Sequence, residues 1–196
     1  RSGMRPIDTI TDLANELMLE SAQPLHTFDF DKLAKINGSE NIKLTVRKAF
    51  QNEELELLDG RKILMSENDI VIATGQNAEV AIALAGAMGG KLTAIDETTT
   101  RILVESATFN LYNLRNTQMR HGIFSEAITR FTKGQPAGAV LPVLDEFIAR
   151  FEKNGGEKIS QIVSIAESVN FERSPISVNC ANEVLGKDFS QEEITQ

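Results

Sequence analysis

ELELLDGRKILM, residues 54 to 65, decides the broad class of this chain: Glu54 to Leu58 and Arg61 to Met65 flank Asp59-Gly60, the strongest short hairpin signal in the sequence. Working outward, Ile42, Leu44 and Val46 share one face and Lys43, Thr45 and Arg47 the other, the alternation of a half-buried strand. Asp69 to Thr74 and Val80 to Ala85 are β-branched or apolar runs, so the hairpin belongs to a β-meander. Towards the N-terminus, Ile7, Ile10, Leu13, Ala14, Leu17 and Met18 fall at helical spacing, with Pro6 suited to a first turn and Gln23-Pro24 as the stop. Towards the C-terminus, Ile102 to Phe109 is a further strand candidate. Leu111 to Arg120 and Pro136 to Lys153 read as helices, the second closed by Gly155-Gly156, Ile162 to Val169 returns to strand, and the tail reads as a short strand from Ile176 and then a helix opened by Ser190 before Gln191-Glu192-Glu193. A helix, antiparallel strands, a helical stretch and a late strand predict an α+β fold and not regular βαβ alternation.

With 196 residues and 41% apolar content, the chain can bury one large core or two small ones. Its net charge of −8 excludes a protein that wraps nucleic acid along an extended phosphate track. The charge is uneven: Ser106 to Val140 carries Arg115, Arg120, Arg130 and Lys133 against Glu126 alone, so this segment is +3 and the remainder −11. That segment is a solvated helix face or a docking surface for a phosphate or an RNA end. A single cysteine, Cys180, excludes an intrachain disulfide framework, reads as a packing residue, and fits a cytoplasmic location. No apolar run approaches a membrane span and no signal peptide is visible, so no membrane partner is expected.

No phosphate-binding Walker loop, dinucleotide fingerprint, HExxH or nucleophile elbow occurs. The candidates for chemistry are more dispersed. His26, in MLESAQPLHTFDFDKL from Met18 to Leu33, sits at the mouth of a helix-to-strand turn, either as a hydrogen-bonded turn residue or as a catalyst. Glu105 lies inside the apolar run ILVESATF, where a carboxylate must be solvated, paired or aimed into a pocket. The glycines of Gly86-Ala87-Met88-Gly89-Gly90 permit positive φ and close backbone approach. His121 reads as a surface residue at a helix end.

Five ordered blocks, SGMRPID, MLESAQPLHTFDFDKL, ALAGAMGG, ILVESATFN and HGIFSEAITRF, closely resemble the B3/B4 region of the bacterial phenylalanyl-tRNA synthetase β subunit over residues 1 to 186. The resemblance implies a three-layer α+β fold, a β-sandwich of mixed or antiparallel sheets with flanking helices. It spans residues 1 to 175, followed over 176 to 196 by a linker and the cut-off start of a B5-like module, so the chain reads as a piece of a longer polypeptide. It also implies a function: an editing domain that hydrolyses tyrosine wrongly esterified to the tRNA for phenylalanine. By the same resemblance the site comprises His26 and Ser125 as catalytic candidates, with Arg5, Pro24, Gly89, Glu105 and Ala127 binding substrate. The implied partners are the 3′ end of mischarged tRNA, tyrosine, the synthetase α subunit and the remaining β-subunit domains. No cofactor is expected in this fragment, since ATP and Mg2+ belong to other parts of the full synthetase. Two other readings stand beside this one: a non-catalytic RNA-binding or scaffolding module, and a freestanding deacylase acting in trans.

A physical need supports the editing reading. An apolar pocket built for phenylalanine rejects the same ring carrying an added hydroxyl by only about 10². A second site that hydrogen-bonds the hydroxyl rejects the molecule lacking it by about 10⁴ to 10⁵, because its own polar group would otherwise stay unpaired. Glu105 is the expected acceptor of that hydroxyl.

Overall fold

A computed structural model describes residues 6–165 and 175–195. The chain divides into two compact units, 1–163 and 164–196. In the first unit, helix α1 (Thr9–Ser21) starts where Asp8 accepts the Ile10 and Thr11 N–H groups and ends at Ala22, which takes a left-handed conformation. Pro6 therefore precedes the helix instead of opening its first turn. Strand β1 (Leu25–Asp29) follows, and its last residue caps helix α2 (Phe30–Asn37) through the Lys32 N–H. Gly38, at φ 71°, closes that helix.

Strands β2 (Thr45–Lys48), β3 (Glu54–Glu56), β4 (Lys62–Leu64), β5 (Ile70–Thr74), β6 (Val80–Leu84) and β7 (Met88–Gly89) form the meander. The expected hairpin is present as β3–β4, its turn closed by Leu57 N–H to Arg61 O at 2.8 Å with Gly60 at φ 83°. Strands β2, β5, β6 and β7 make a four-stranded sheet in the order β2-β5-β6-β7, and all its pairings are antiparallel. Strand β8 (Ile102–Ser106) pairs antiparallel with β1 as a separate ribbon. Helices α3 (Leu111–His121), α4 (Glu126–Phe131) and α5 (Val140–Lys153) complete the unit. The architecture is α+β, with antiparallel pairing throughout the described residues.

The layers follow from the alternation of side chains along each strand. On β5, Ile72 faces a core shared with Phe28 of β1, Leu33 of α2 and Ile82, and Leu103 of β8 packs against it. Val71 and Ala73 face the opposite core, with Leu55 and Leu57 from the hairpin and Leu114, Ile123, Ile128 and Phe131 from the helical segment. The β1–β8 ribbon turns its other face, Leu25, Ile102 and Val104, onto Leu13 and Leu17 of α1 and Val143 and Phe147 of α5. The ribbon is thus sandwiched between two helices and the large sheet.

Several expectations are corrected. Extended pairing on β2 begins at Thr45 instead of Ile42, and β8 stops at Ser106 instead of Phe109, since Asn110 caps α3 through the Tyr112 and Asn113 N–H groups. Helix α5 begins at Val140 after a 3-10 turn, not at Pro136. Residues 162–165 form no strand, and 166–169 lie outside the described residues. In the second unit, the strand expected from Ile176 is helix α6 (Val178–Leu185), because Ser177 accepts the Cys180 N–H as an N-cap and Gly186, at φ 65°, supplies the stop. Cys180 is exposed on that helix and does not pack. Ser190 opens helix α7 (Gln191–Thr195) as its sequence predicts, accepting the Glu193 N–H. Among the described residues no helix is long and apolar enough to cross a membrane.

Candidate functional site

The β1–β8 register sets His26 directly opposite Glu105. Directly opposed residues of an antiparallel pair project from the same face with their Cβ atoms about 5 Å apart. Here that face is the one carrying Phe28 and Leu103, so both polar side chains are directed from the ribbon towards the large sheet. They line a cavity of about 70 Å³, together with Pro24, Leu84, Ala87, Met88, Gly89, Phe109, Ala127 and Phe131. That volume holds several water molecules.

The electrostatics of the pair are unusual for an otherwise apolar wall. Among the described residues neither the His26 ring nor the Glu105 carboxyl hydrogen-bonds to any protein group, and both residues line the cavity. Burial alone drives the His26 pKa down to about 4 and that of Glu105 up to about 7. Near neutrality the imidazole is therefore uncharged while the carboxyl is divided between its two forms. Phe28 meets the imidazole edge to face at 4.5 Å, fixing the ring plane from one side. Gly89 fixes it from the other, since a Cβ there would fall 2.6 Å from His26 Nε2 and also clash with Cε1. The glycine is needed at this position because the histidine ring occupies the space of its missing side chain.

The helix-to-strand turn is held by Gln23, fully buried, whose Nε2 donates to Pro24 O at 3.0 Å and to Ala107 O at 2.8 Å. This amide ties the start of β1 to the end of β8, next to the His26–Glu105 rung. The sequence marks Gln23 only as part of the helix stop; that its amide is buried, and so needs partners, appears in the fold.

Ser125 does not line the cavity. Its Oγ donates to Ala87 O at 2.6 Å and accepts the Ile128 N–H at 3.1 Å as the N-cap of α4. Through these bonds it sets Ala127 and the Ala87–Gly89 ledge against one another. Of the residues singled out in the sequence, Pro24, His26, Gly89, Glu105 and Ala127 converge on one cavity, Ser125 stands behind its wall, and Arg5 lies outside the described residues.

His121 is not a surface residue. It ends α3 as expected, yet its side chain is only 7% exposed and its Nε2 lies 2.8 Å from Asp69 Oδ2. Asp69, fully buried at the foot of β5, also accepts from Thr117 Oγ1 at 2.8 Å, from Arg120 at 2.7 Å and from the Ser66 N–H at 2.9 Å. Burial would raise the Asp69 carboxyl, but the bonds from Ser66, His121 and Thr117 outweigh it and hold the group below the ordinary carboxylate range. Every one of these partners is structural, and the cluster pins α3 to the sheet.

The model of the B3/4 domain family matches residues 1–172. Among curated proteins, the phenylalanine–tRNA ligase beta subunit of Symbiobacterium thermophilum is 46% identical over 140 residues, 71% of this chain and 15% of that protein. The beta subunit from Staphylococcus saprophyticus is 36% identical over 196 residues, covering 99% of this chain and 23% of its own length. That of Desulfotalea psychrophila is 39% identical over 198 residues, with 98% and 23% covered. The chain thus spans less than a quarter of the relatives it matches.

Proposed function

Since this chain belongs to the B3/4 domain family, we propose that it is the editing portion of a phenylalanine–tRNA ligase beta subunit, a cytoplasmic synthetase part that hydrolyses tyrosine wrongly esterified to the 3′ end of the tRNA for phenylalanine. The observation that carries this reading is the cross-strand pair His26 and Glu105, both open to one small cavity and both without a partner in the described protein. A half-buried carboxyl on an apolar wall gains when a ligand supplies the hydrogen bond that the protein does not. A phenol O–H answers that need at Glu105, whereas the plain ring of phenylalanine leaves the carboxylate unpaired.

Ala127 keeps the wall beside the ring small, and Met88, unbranched and adaptable, is the lining side chain that yields most cheaply as the ring enters. The ester is an activated acyl group, so placement of water accounts for much of the acceleration. His26 is neutral at working pH and accepts a hydrogen from that water. At a pKa of about 4 it is too weak a base to strip the proton early, so its role is orientation. Water oxygen adds to the ester carbonyl carbon, the ribose oxygen leaves and takes up a proton, and tyrosine and the free RNA end are released. Ser125 serves by holding the Ala87–Gly89 ledge and α4, with both of its hydrogen-bonding capacities engaged. Arg5, a site position by family resemblance, contacts the RNA end or the substrate. The α subunit and the rest of the β subunit, with ATP and Mg2+ for amino-acid activation, belong to the whole ligase. This cavity, apolar but for a carboxyl and a neutral imidazole, offers nothing that would hold a triphosphate.

Deacylation of Tyr-tRNA by the purified chain tests the assignment. His26→Ala and Glu105→Ala should each slow release of tyrosine at least tenfold, with Glu105→Ala also narrowing the preference for tyrosyl over phenylalanyl ester. Full activity in both variants would overturn it.

A further inference from the structure

Pro24, which lines the cavity, also interrupts the ladder of the β1–β8 ribbon. The bond from Phe30 N–H to Arg101 O fixes the phase of that ladder, because hydrogen-bonded and non-bonded pairs alternate along antiparallel strands. Counting from Phe30–Arg101, the bonded rungs are Phe28–Leu103, His26–Glu105 and, one step past the Leu25–Ser106 pair, Pro24–Ala107. Proline has no N–H, so the Ala107 carbonyl on that rung lacks its backbone donor. A side chain supplies it. Gln23 Nε2 donates to Ala107 O at 2.8 Å and, with its second hydrogen, to Pro24 O at 3.0 Å, so one buried amide serves both carbonyls of the rung. These two carbonyls also fix which way the amide points, and they leave its buried Oε1 without a partner among the described residues. An orphaned buried oxygen is unfavourable, and the double donation offsets it.

We propose that Gln23 is a positioning residue for the cavity: its amide is the rung that Pro24 cannot make, and it holds His26 and Glu105 at their mutual spacing. As a contribution to hydrolysis, the role rests on the editing reading. His26–Glu105 is the next bonded rung, two residues along each strand and about 7 Å away. On the far side the chain leaves the ribbon in both directions, back into α1 from Gln23 and on to the Asn110 cap of α3 from Ala107, so among the described residues no further strand pairing clamps this end. Without the amide the strands part here, and the imidazole and carboxyl, which no hydrogen bond to the described protein re-seats, shift with their backbones. A displacement of about 1 Å at a reacting group is enough to slow a reaction about 10²-fold. The two neighbours thus divide the work: Pro24 gives the cavity wall an apolar ring, and Gln23 restores the donor that the ring removes.

A double-variant cycle on the 196-residue chain tests this, with 3′-O-tyrosyl-adenosine as the ester and the Glu105 carboxyl followed by carbon NMR. Gln23→Leu, which keeps the bulk and loses both donors, should lower kcat about tenfold while KM changes less than about threefold. The same change made in a Pro24→Ala background, where a backbone N–H is present to fill the rung, should lower kcat less than about threefold. The Glu105 carboxyl should titrate lower in Gln23→Leu than in the parent, as water enters between the parted strands, and should recover in the double variant. Gln23→Asn, whose amide is one methylene shorter, should fall between parent and Gln23→Leu in both readouts, and it takes the place of Gln23→Leu if that chain does not fold. Equal losses of kcat in the two backgrounds overturn the rung, and so does a Gln23→Leu chain that is less stable but matches the parent in kcat and in Glu105 titration. If the unsubstituted chain hydrolyses no ester, the editing reading falls by itself and the Glu105 titration decides the rung: movement with recovery upholds it, and no movement overturns it.

Discussion

His26 and Glu105 titrate over overlapping ranges with opposite effect on folding. The Glu105 carboxyl moves from its ordinary 4.5 up to about 7, so between those values the folded chain keeps a proton the unfolded chain has released, and stability falls as pH rises. The His26 imidazole moves from 6.5 down to about 4, so between those values the unfolded chain holds the extra proton, and stability rises with pH. From about 4.5 to 6.5 the two slopes oppose and nearly cancel. Each single variant should expose its partner's slope. His26→Asn should lose stability steadily from pH 5 to 7, while Glu105→Gln should gain it from pH 4.5 to 6.5 and exceed the parent chain at pH 8. Urea denaturation across this range checks both, and parallel profiles for the two variants would contradict the assignment. The sequence marked these residues individually, Glu105 by its place in an apolar run and His26 by its turn. It could not show that they share a rung, because register between distant strands is set by tertiary packing and not by local pattern.

Legibility among the elements followed the strength of local signals. The β3–β4 hairpin and α1 were plain, one from Asp59-Gly60 and the other from its apolar periodicity. Helix α2 escaped because it is eight residues long and its N-cap, Asp29, is also the last residue of a strand. Helix α6 was misread because Ile176 and Val178 suggest a strand, whereas the Ser177 cap and Gly186 stop outweigh that preference. Helix α4 is one and a half turns and owes its start to Ser125, which also carries the Ala87 carbonyl. Ser125→Ala should therefore cost about 1 kcal/mol from the lost cap and somewhat more from the stranded carbonyl. Its hydrolysis should weaken but persist, and Ser125→Thr should retain both properties. Chemical denaturation alongside the deacylation assay separates this from a nucleophile's loss, in which stability would hold and activity vanish.

For the molecule as a whole, the net charge of −8 sets an electrostatic limit on any binding to RNA. A chain whose acids outnumber its bases 28 to 20 should bind a nonspecific duplex weakly, with log K against log salt falling at a slope no steeper than about −2, since each neutralised phosphate contributes about 0.9. Filter binding at several salt concentrations measures this, and a slope near −6 would reveal a phosphate track that the residues do not display. The α+β class was readable from the sequence because antiparallel meander signals and helical periodicities are local; the sandwiching of the β1–β8 ribbon was not, because its strands come from distant parts of the chain. That distance has a consequence for the order of events at birth. Gln23 and the carbonyl it grips are 84 residues apart, and the last cavity residues lie on α4. A nascent chain emerging from the ribosome can form α1, α2 and the hairpin early, but it has no cavity until Phe131 has also emerged. Closing so long a loop is slow, so the cavity forms late. Whatever ligand the cavity takes, a half-made domain has nowhere to hold it.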